Sequence, residues 1–524
     1  MAMWMREAAA KQPSVWWTLF VASLASFIVI IDSSLLKVAT TTLVAELHTT
    51  VSMIQSMIAT YALTVACLVL LGAKLQDIIG RKRTLLYGAL IYGVGTAVSA
   101  LSINALMLLV GWALLEGIGA ALVLPATAAL ISSTYVDDRR AFAFGLWTAI
   151  GAAAATVGPL LGGLLTTFLS WRAGFGLEAV FIVLLFALAG RLSESPPTIR
   201  WRDLDLVGFG LSATGFFLVV EGTLALKNLN AWEFVPALVG VGLLLLVVFV
   251  LWQHRRIGRG QVPLTDITLF RARAYSAGNL ANLILRLALA GALFILPAFL
   301  QVVTGASAFM TGLALIPLTV ALLIFSLGSG RLSARLSPRV LVPLGFLIAL
   351  SGSVVLRGVF SLDTQIVDIF PGTILIGVGI GVGLGPLNNV ILSSASKAKQ
   401  ADASGVLNMT TKLGASLGAA VIGAVLIVSI YSALGAAVEQ AHPEYVTSQE
   451  VNARVDTLKT ADLQVVKAEQ NTTTQIANEM ISSAMQRAVD GISIFLFGGF
   501  VCSLFIGQRG RASELPPHTR PVTR

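Results

Sequence analysis

The sequence predicts an all-α integral membrane protein with about fourteen spanning helices. Three observations carry that expectation. The chain is far more apolar than a water-soluble fold, its apolar runs recur at spanning length, and its basic residues fall in alternate connecting segments. Of 524 residues, 56% are hydrophobic and only 12% are charged, and the mean hydropathy is +0.86. Soluble domains carry about 25% charged residues, so lipid rather than water must solvate much of this surface.

A span needs about 20 mostly apolar residues. Such runs occur near 16–38, 52–73, 84–103, 106–131, 141–168, 174–190, 206–226 and 233–253. Six more follow near 275–303, 308–329, 339–360, 367–393, 402–431 and 487–507. With the N-terminus inside, the cytoplasmic segments collect clusters such as Arg81, Lys82 and Arg83; Arg139 and Arg140; Arg255, Arg256 and Arg259; and Arg331, Arg335 and Arg339. The outer segments hold few basic residues. This asymmetry is the positive-inside pattern, and it predicts an even number of spans with both termini cytoplasmic.

The same pattern explains the net charge of +9 without nucleic acid. Cys67 and Cys502 both lie in apolar runs and make no disulfide framework, zinc pattern or redox pair. The first apolar run is too long for a cleavable signal. The four histidines lack metal-ligand spacing and no phosphate-binding loop is present. No enzyme, metal, cofactor or ATP-driven pump is therefore expected.

Two polar stretches, 191–205 and 254–274, interrupt the rhythm and read as cytoplasmic linkers. They divide the chain into a six-helix bundle with its linker (1–205), a two-helix insert with its linker (206–273), and a second six-helix bundle (274–524). The last contains a long outer loop, 432–486. A weak repeat relates GAKLQDIIGRKR after span two to GSGRLSARLSPR after span ten, as in transporters built from paired repeats. Within the outer loop, Val451, Val455 and Leu458, then Ile476, Met480 and Ile481, recur at helical spacing. They predict one or two amphipathic helices on the outer membrane surface. A partner-binding domain and a solvated connector are the alternatives.

Two motifs carry mechanism. Gly72 and Gly80 flank Asp77 and precede Arg81, Lys82 and Arg83; the glycines permit a tight turn, and Asp77 can pair with Arg81 or face a helix N-terminus. Such a cluster can latch the cytoplasmic side shut. In span five, Gly145, Ala154, Gly158, Pro159, Gly162 and Gly163 let helices approach closely in lipid, and Pro159 kinks the span. The first motif resembles the loop signature of the major facilitator superfamily, and the second is similar to the antiporter signature of drug exporters. With the span count and the ASGVLNMTTKLGASLGAA run of span thirteen, the chain resembles the fourteen-span drug:proton antiporter family. The resemblance covers nearly the whole chain apart from the outer loop. It implies the major facilitator fold and proton-driven export of small amphipathic compounds from a bacterial inner membrane. The expected partners are that substrate, protons and the bilayer, with the protein a monomer.

The chain departs from the family at several places. Asp32 keeps the family's acidic residue in span one, but Lys37 replaces asparagine. Ala113 stands where the family has the arginine associated with coupling, Glu116 replaces glutamine, and Glu178 and Val180 replace asparagine and proline. The family's coupling scheme therefore does not carry over intact.

A charge at the bilayer centre costs at least about 2.5–3.5 kcal/mol on insertion scales. Asp32, Glu116, Arg286 and Lys412 lie well within spans, whereas Glu178, Glu221 and Lys37 lie near outer ends, where they can snorkel. Asp32 or Glu116 is the expected proton carrier, because a carboxylate in an apolar cavity favours its neutral form and a cationic substrate can compete for its charge. The plainer alternative is a fixed ion pair, Asp32 with Lys37 or Glu116 with Arg286. Asn279, Asn282, Gln301, Asn388, Asn389 and Asn408 can line the same cavity or bond neighbouring helices. Arg286, Lys412 and Lys37 keep open an anionic or zwitterionic cargo such as a lipid, an amino acid or a secreted metabolite. A non-transporting receptor that uses the outer loop is a third class, but it would need no latch.

Overall fold

In the computed structural model, the described residues are 15–507, apart from 136, 195–196, 198, 226–231, 303, 305, 307, 334, 361–363, 397–398 and 442–471. They form an all-helical bundle, as lipid demands of a chain that must satisfy every backbone group within its own helices. The long helices are α1 (Val15–Val38), α2 (Val51–Ile79), α3 (Arg81–Ala100), α4 (Ala105–Thr134), α5 (Asp137–Phe168), α6 (Arg172–Ala189) and α7 (Leu206–Ala225). They continue with α8 (Val235–Gly258), α9 (Arg273–Val302), α10 (Ala308–Leu332), α11 (Pro338–Val359), α12 (Phe370–Ser393), α13 (Gln400–Ala441) and α14 (Thr472–Leu504).

Among the described residues, thirteen helices are long and apolar enough to cross a membrane. The exception is α3, a 20-residue helix whose first turn is Arg81-Lys82-Arg83. Local chemistry sets several boundaries. The Thr50 side chain accepts from Met53 N at the start of α2, and Asn104 accepts from Met107 N at the start of α4, the usual N-cap arrangement. Gly80 joins α2 to α3 at φ +95°, a conformation that glycine adopts without steric cost.

Two glycine-lined crossings resemble each other. A Cβ at Gly95 of α3 would sit 2.7 Å from the Gly111 carbonyl of α4, and one at Gly345 of α11 would sit 2.6 Å from the Gly379 carbonyl of α12. Small residues let these pairs pack backbone to backbone. One apolar core is confined to residues 21–192. A larger core gathers α9–α14, with Phe216 of α7, Phe249 of α8 and a strip of the first helices. Helix α5 packs between α1 and α10, while α7 pairs with α8 and rests on α2 and α13. Only 11% of the apolar stretch of α8 is buried, so that helix offers most of its surface to lipid.

Two sequence readings need correction. The last helix begins at Thr472, well before residue 487, so Ile476, Met480 and Ile481 belong to the helix that carries the final span, Ser482–Leu504, rather than to a separate helix. Val451, Val455 and Leu458 lie outside the described residues, as do the basic residues of both termini. Lys74 and Gly72, read as loop residues, belong to α2. Both are buried, and a Cβ at Gly72 would run into the Ala121 carbonyl of α4.

Candidate functional site

Three carboxyls meet inside the first six helices. Asp32 of α1, Glu116 of α4 and Glu178 of α6 are 0%, 0% and 1% exposed, and one oxygen from each lies within 4.8 Å of the others. Glu116 closes a π-helical stretch, Leu109–Glu116, that interrupts α4. Such π-helical insertions within α-helices recur at functional sites. Gly95 makes room for it, since a Cβ there would lie 2.7 Å from Glu116 Cγ.

The donors to this cluster are few. Trp112 Nε1 donates to Asp32 Oδ1 at 2.9 Å and to Oδ2 at 3.1 Å. Ser99 Oγ donates to Glu116 Oε1 at 3.2 Å. Among the described residues, Glu116 Oε2 and Glu178 Oε2 are buried without a close hydrogen-bond partner. Tyr92 lies alongside both Asp32 and Glu116. This is the one such grouping of acidic or metal-ligating side chains among the described residues. Its spacing suits either shared protons or a hard cation ringed by oxygen.

Glu178 is the member that the sequence misplaced. Six residues into its helix, it was free to snorkel; tertiary packing instead buries it against Asp32. Its signal was the departure from the family's asparagine. The alternative of a Glu116–Arg286 ion pair does not form: Arg286 is on α9, where its Cβ faces Gly414 of α13. Its Nε has no hydrogen-bond partner among the described residues. Lys412 of α13, by contrast, approaches the cluster. Its Nζ lies 5.8 Å over the Tyr61 ring, that ring stacks on Trp112 at 5.7 Å and 14°, and its charge acts on Asp32. The side chain of Lys37 is outside the described residues.

The small-residue face of α5 packs beside this cluster. Ala154 is buried with Ile31 and Leu35 of α1, and a Cβ at Gly162 would lie 2.6 Å from the Leu35 carbonyl. Gly158 and Gly163 are buried as well. On the other side of α5, a Cβ at Gly145 would meet the Gly330 backbone of α10 at 3.2 Å, and Pro159 faces Gly312 of the same helix. One helix therefore packs against both α1, which carries Asp32, and α10 of the second group of helices.

A second charged network occupies the end of the bundle marked by Gly80. Lys74 Nζ lies 3.1 Å from Asp402 Oδ1 of α13 and 3.8 Å from Asp77; the side chains of Lys74 and Asp402 are 5% and 7% exposed. Arg81 turns to the Ala129 carbonyl of α4 at 3.5 Å. Lys82 Nζ donates to the Gly190 and Leu192 carbonyls at 3.0 and 2.9 Å. The linker after α8 joins in, because Asp266 N donates to Asp402 Oδ2 at 2.9 Å and the Asp266 carboxylate holds Lys399 at 2.5 Å. Although partial burial opposes its charge, bonds from Lys399 and Thr268 hold Asp266 below the usual aspartate range. Asp205 anchors the α7–α8 hairpin to that linker through Gln253 (2.8 Å), which in turn accepts from Leu264 N (2.9 Å).

Most of the uncharged polar residues bond between or along helices. Asn282 Nδ2 donates to Thr410 and Thr411 at 3.0 Å, Asn388 to Thr148 at 3.3 Å, and Asn408 to the Ser404 carbonyl at 2.9 Å. At the end opposite Gly80, Glu46 accepts from Trp171 at 2.8 Å and Arg172 at 2.7 Å. The Trp171 bond first, and the Arg172 contact next, hold its carboxyl below the usual range.

A membrane-embedded helical bundle with charged groups enclosed between its helices is the architecture of a solute carrier. The sequence profile described as Major Facilitator Superfamily matches residues 22–419, and the chain belongs to that superfamily. The methylenomycin A resistance protein of Bacillus subtilis is 28% identical over 416 residues, 78% of this chain and 87% of that protein. The multidrug resistance protein Stp of Mycobacterium tuberculosis is 29% identical over 82% of this chain and 79% of its own length. The puromycin resistance protein of Streptomyces alboniger is 30% identical over 80% and 84%. The crystal structure of the human organic anion transporter MFSD10 superposes with a TM-score of 0.60, covering 94% of this chain and all of that one. At 13% identity the likeness concerns the fold alone.

Proposed function

We propose that this chain exports amphipathic, cationic compounds in exchange for protons, by alternating access across a bacterial cytoplasmic membrane. The carrying observation is the enclosed cluster of Asp32, Glu116 and Glu178. Ionising carboxyls without solvent is costly, and ionising several so close together is costlier still. A proton or an organic cation relieves that cost, so the two compete for one site. The resistance functions named for the bacterial relatives support a drug as the cargo.

In this reading α3 is the fourteenth span and both termini are cytoplasmic. Residues 1–205 and 274–524 form two rocking bundles, with 206–273 inserted between them and the protein acting as a monomer. The matching glycine crossings of α3–α4 and α11–α12 support the repeat. Gly72, Asp77, Gly80, Arg81 and Lys82 belong to the cytoplasmic latch, whose cross-bundle bond is Lys74 with Asp402. Gly145, Gly158, Pro159, Gly162 and Gly163 line the two sides of α5 through which it couples α1 to α10. A second reading, export of an anionic or zwitterionic compound, is favoured by Arg286, whose buried Nε lacks a hydrogen-bond partner among the described residues.

Purified protein in proteoliposomes with a pH-sensitive dye tests these readings. Tetraphenylphosphonium should drive proton movement that Asp32→Asn abolishes. Silence with that cation and a response to amphipathic carboxylates, lost in Arg286→Gln, would replace the first reading with the second.

A further inference from the structure

The α7–α8 hairpin enters and leaves through linkers that are fixed to opposite groups of helices. The entry linker, residues 190–205, is held by the first group. Lys82 Nζ of α3 donates to the Gly190 and Leu192 carbonyls at 3.0 and 2.9 Å, and Ile199 N donates to the Asp77 carbonyl of α2 at 3.1 Å. The exit linker, residues 259–272, is held by the second group. Asp266 N donates to Asp402 Oδ2 of α13 at 2.9 Å, and Lys399, just before α13, reaches the Asp266 carboxylate at 2.5 Å and the Thr268 hydroxyl at 3.0 Å. Between the linkers, α7 leans on α2 and α13 alike, and Cys67 Sγ of α2 donates to the Ala213 carbonyl at 3.3 Å.

The two linkers are also clamped to each other at the base of the hairpin. Asp205 accepts from Gln253 Nε2 at 2.8 Å, and Gln253 Oε1 accepts from Leu264 N at 2.9 Å. Arg256 donates to the carbonyls of Asp203 at 3.4 Å and Val262 at 2.9 Å. Asp205 and Gln253 are 2% and 0% exposed, so water does not compete for the central bonds. Ile199 and Asp205 are six positions apart, and Leu264 and Asp266 two. An extended residue spans at most about 3.6 Å, so neither stretch stores much slack. Asp402 serves its partners with separate oxygens, Lys74 on Oδ1 and the Asp266 amide on Oδ2. Loss of Lys74 therefore leaves the exit linker attached.

We propose that the hairpin and its linkers form a strap across the Gly80 end, fastened to α2 and α3 on one side and to α13 on the other. Breaking the Lys74–Asp402 bond lets the two groups of helices separate there, and the strap sets how far. Ile199 and Asp266 are its fastenings, and Gln253 is its central clamp. The strap rests on the proposed rocking of two bundles, but on neither the cargo nor the protons.

Double electron–electron resonance on the full-length protein in lipid nanodiscs measures the opening. Spin labels go on Thr134→Cys at the end of α4 and Ser337→Cys before α11, both exposed positions. The background carries Cys502→Ala and Cys67→Ser, the latter keeping a donor for Ala213. Lys74→Met should raise the population of the longer, open distance and leave that distance where the background protein has it. Asp266→Pro removes the amide donor and the carboxylate together, at a native φ of −76° that suits proline. Added to Lys74→Met, it should lengthen the open distance by about 3 Å or more, the reach of one released residue. Ile199→Pro removes the donor to Asp77 at the opposite fastening and should lengthen it likewise, which keeps the test decisive if Asp266→Pro fails to fold. An open distance unchanged in either folded double variant would overturn the strap while leaving the rocking intact. Absence of any open population in Lys74→Met would overturn the rocking, and the strap with it.

Discussion

Individual charges in this chain divide by what surrounds them. Asp32, Glu116, Arg286 and Lys412 stand out in the sequence because each interrupts an apolar run, and a charge there demands a reason. Distance along a helix is legible; the approach of another helix is not. Glu178 therefore read as a residue near the membrane surface, although it is 1% exposed and joins Asp32. The same limit hid Lys74, whose partner Asp402 is more than three hundred residues away in sequence. Glu46 offers a pH test outside the spans. Its folded carboxyl is held below the ordinary value of 4.5, first by Trp171 and then by Arg172. A depressed carboxyl stabilises the fold above its ordinary value and loses that contribution as pH falls through the folded value. Thermal stability should therefore be flat with respect to this contact from neutral pH to about 4.5 and fall below it. Glu46→Gln should flatten the acid limb, and an unaltered acid limb would refute the assignment.

At the scale of elements, hydropathy located the spans closely because lipid rewards the same apolar length wherever it occurs. It delimits the embedded part of a helix rather than the helix itself. This is why α14 starts at Thr472, in a polar stretch that precedes the apolar span Ser482–Leu504 within the same helix. The π-helical interruption of α4 left no sequence signal, since its residues are as apolar as their neighbours. The glycine pattern of α5 was legible, but its two contacting faces were not. Gly162→Leu should force a side chain into the Leu35 carbonyl and separate α1 from α5. Overpacking of this kind costs about 1–3 kcal/mol. The expected outcome is protein that reaches the membrane with a lower melting temperature and little transport. Wild-type transport in that variant would show that the close approach is dispensable.

Across the whole molecule, Lys74 and Asp402 tie α2 to α13, and the Asp266 linker fastens the α7–α8 hairpin to the same point. Removing one partner of a buried pair costs about 3–5 kcal/mol, whereas replacing both with apolar groups is often tolerated. Lys74→Met or Asp402→Leu should weaken closure at the Gly80 end, read as faster labelling of a cysteine placed between α2 and α13. The double variant should recover stability more than either single one. Equal labelling in all variants would remove the pair from the latch. The account as a whole stands on proton exchange at the enclosed carboxyls. Its most direct test is the number of protons moved per tetraphenylphosphonium ion in proteoliposomes, compared among wild type, Asp32→Asn and Glu178→Gln. The account predicts exchange in the wild type, none in Asp32→Asn and impaired exchange in Glu178→Gln, whose carboxyl shares the enclosed cluster. Proton movement that is unchanged in both variants would contradict it.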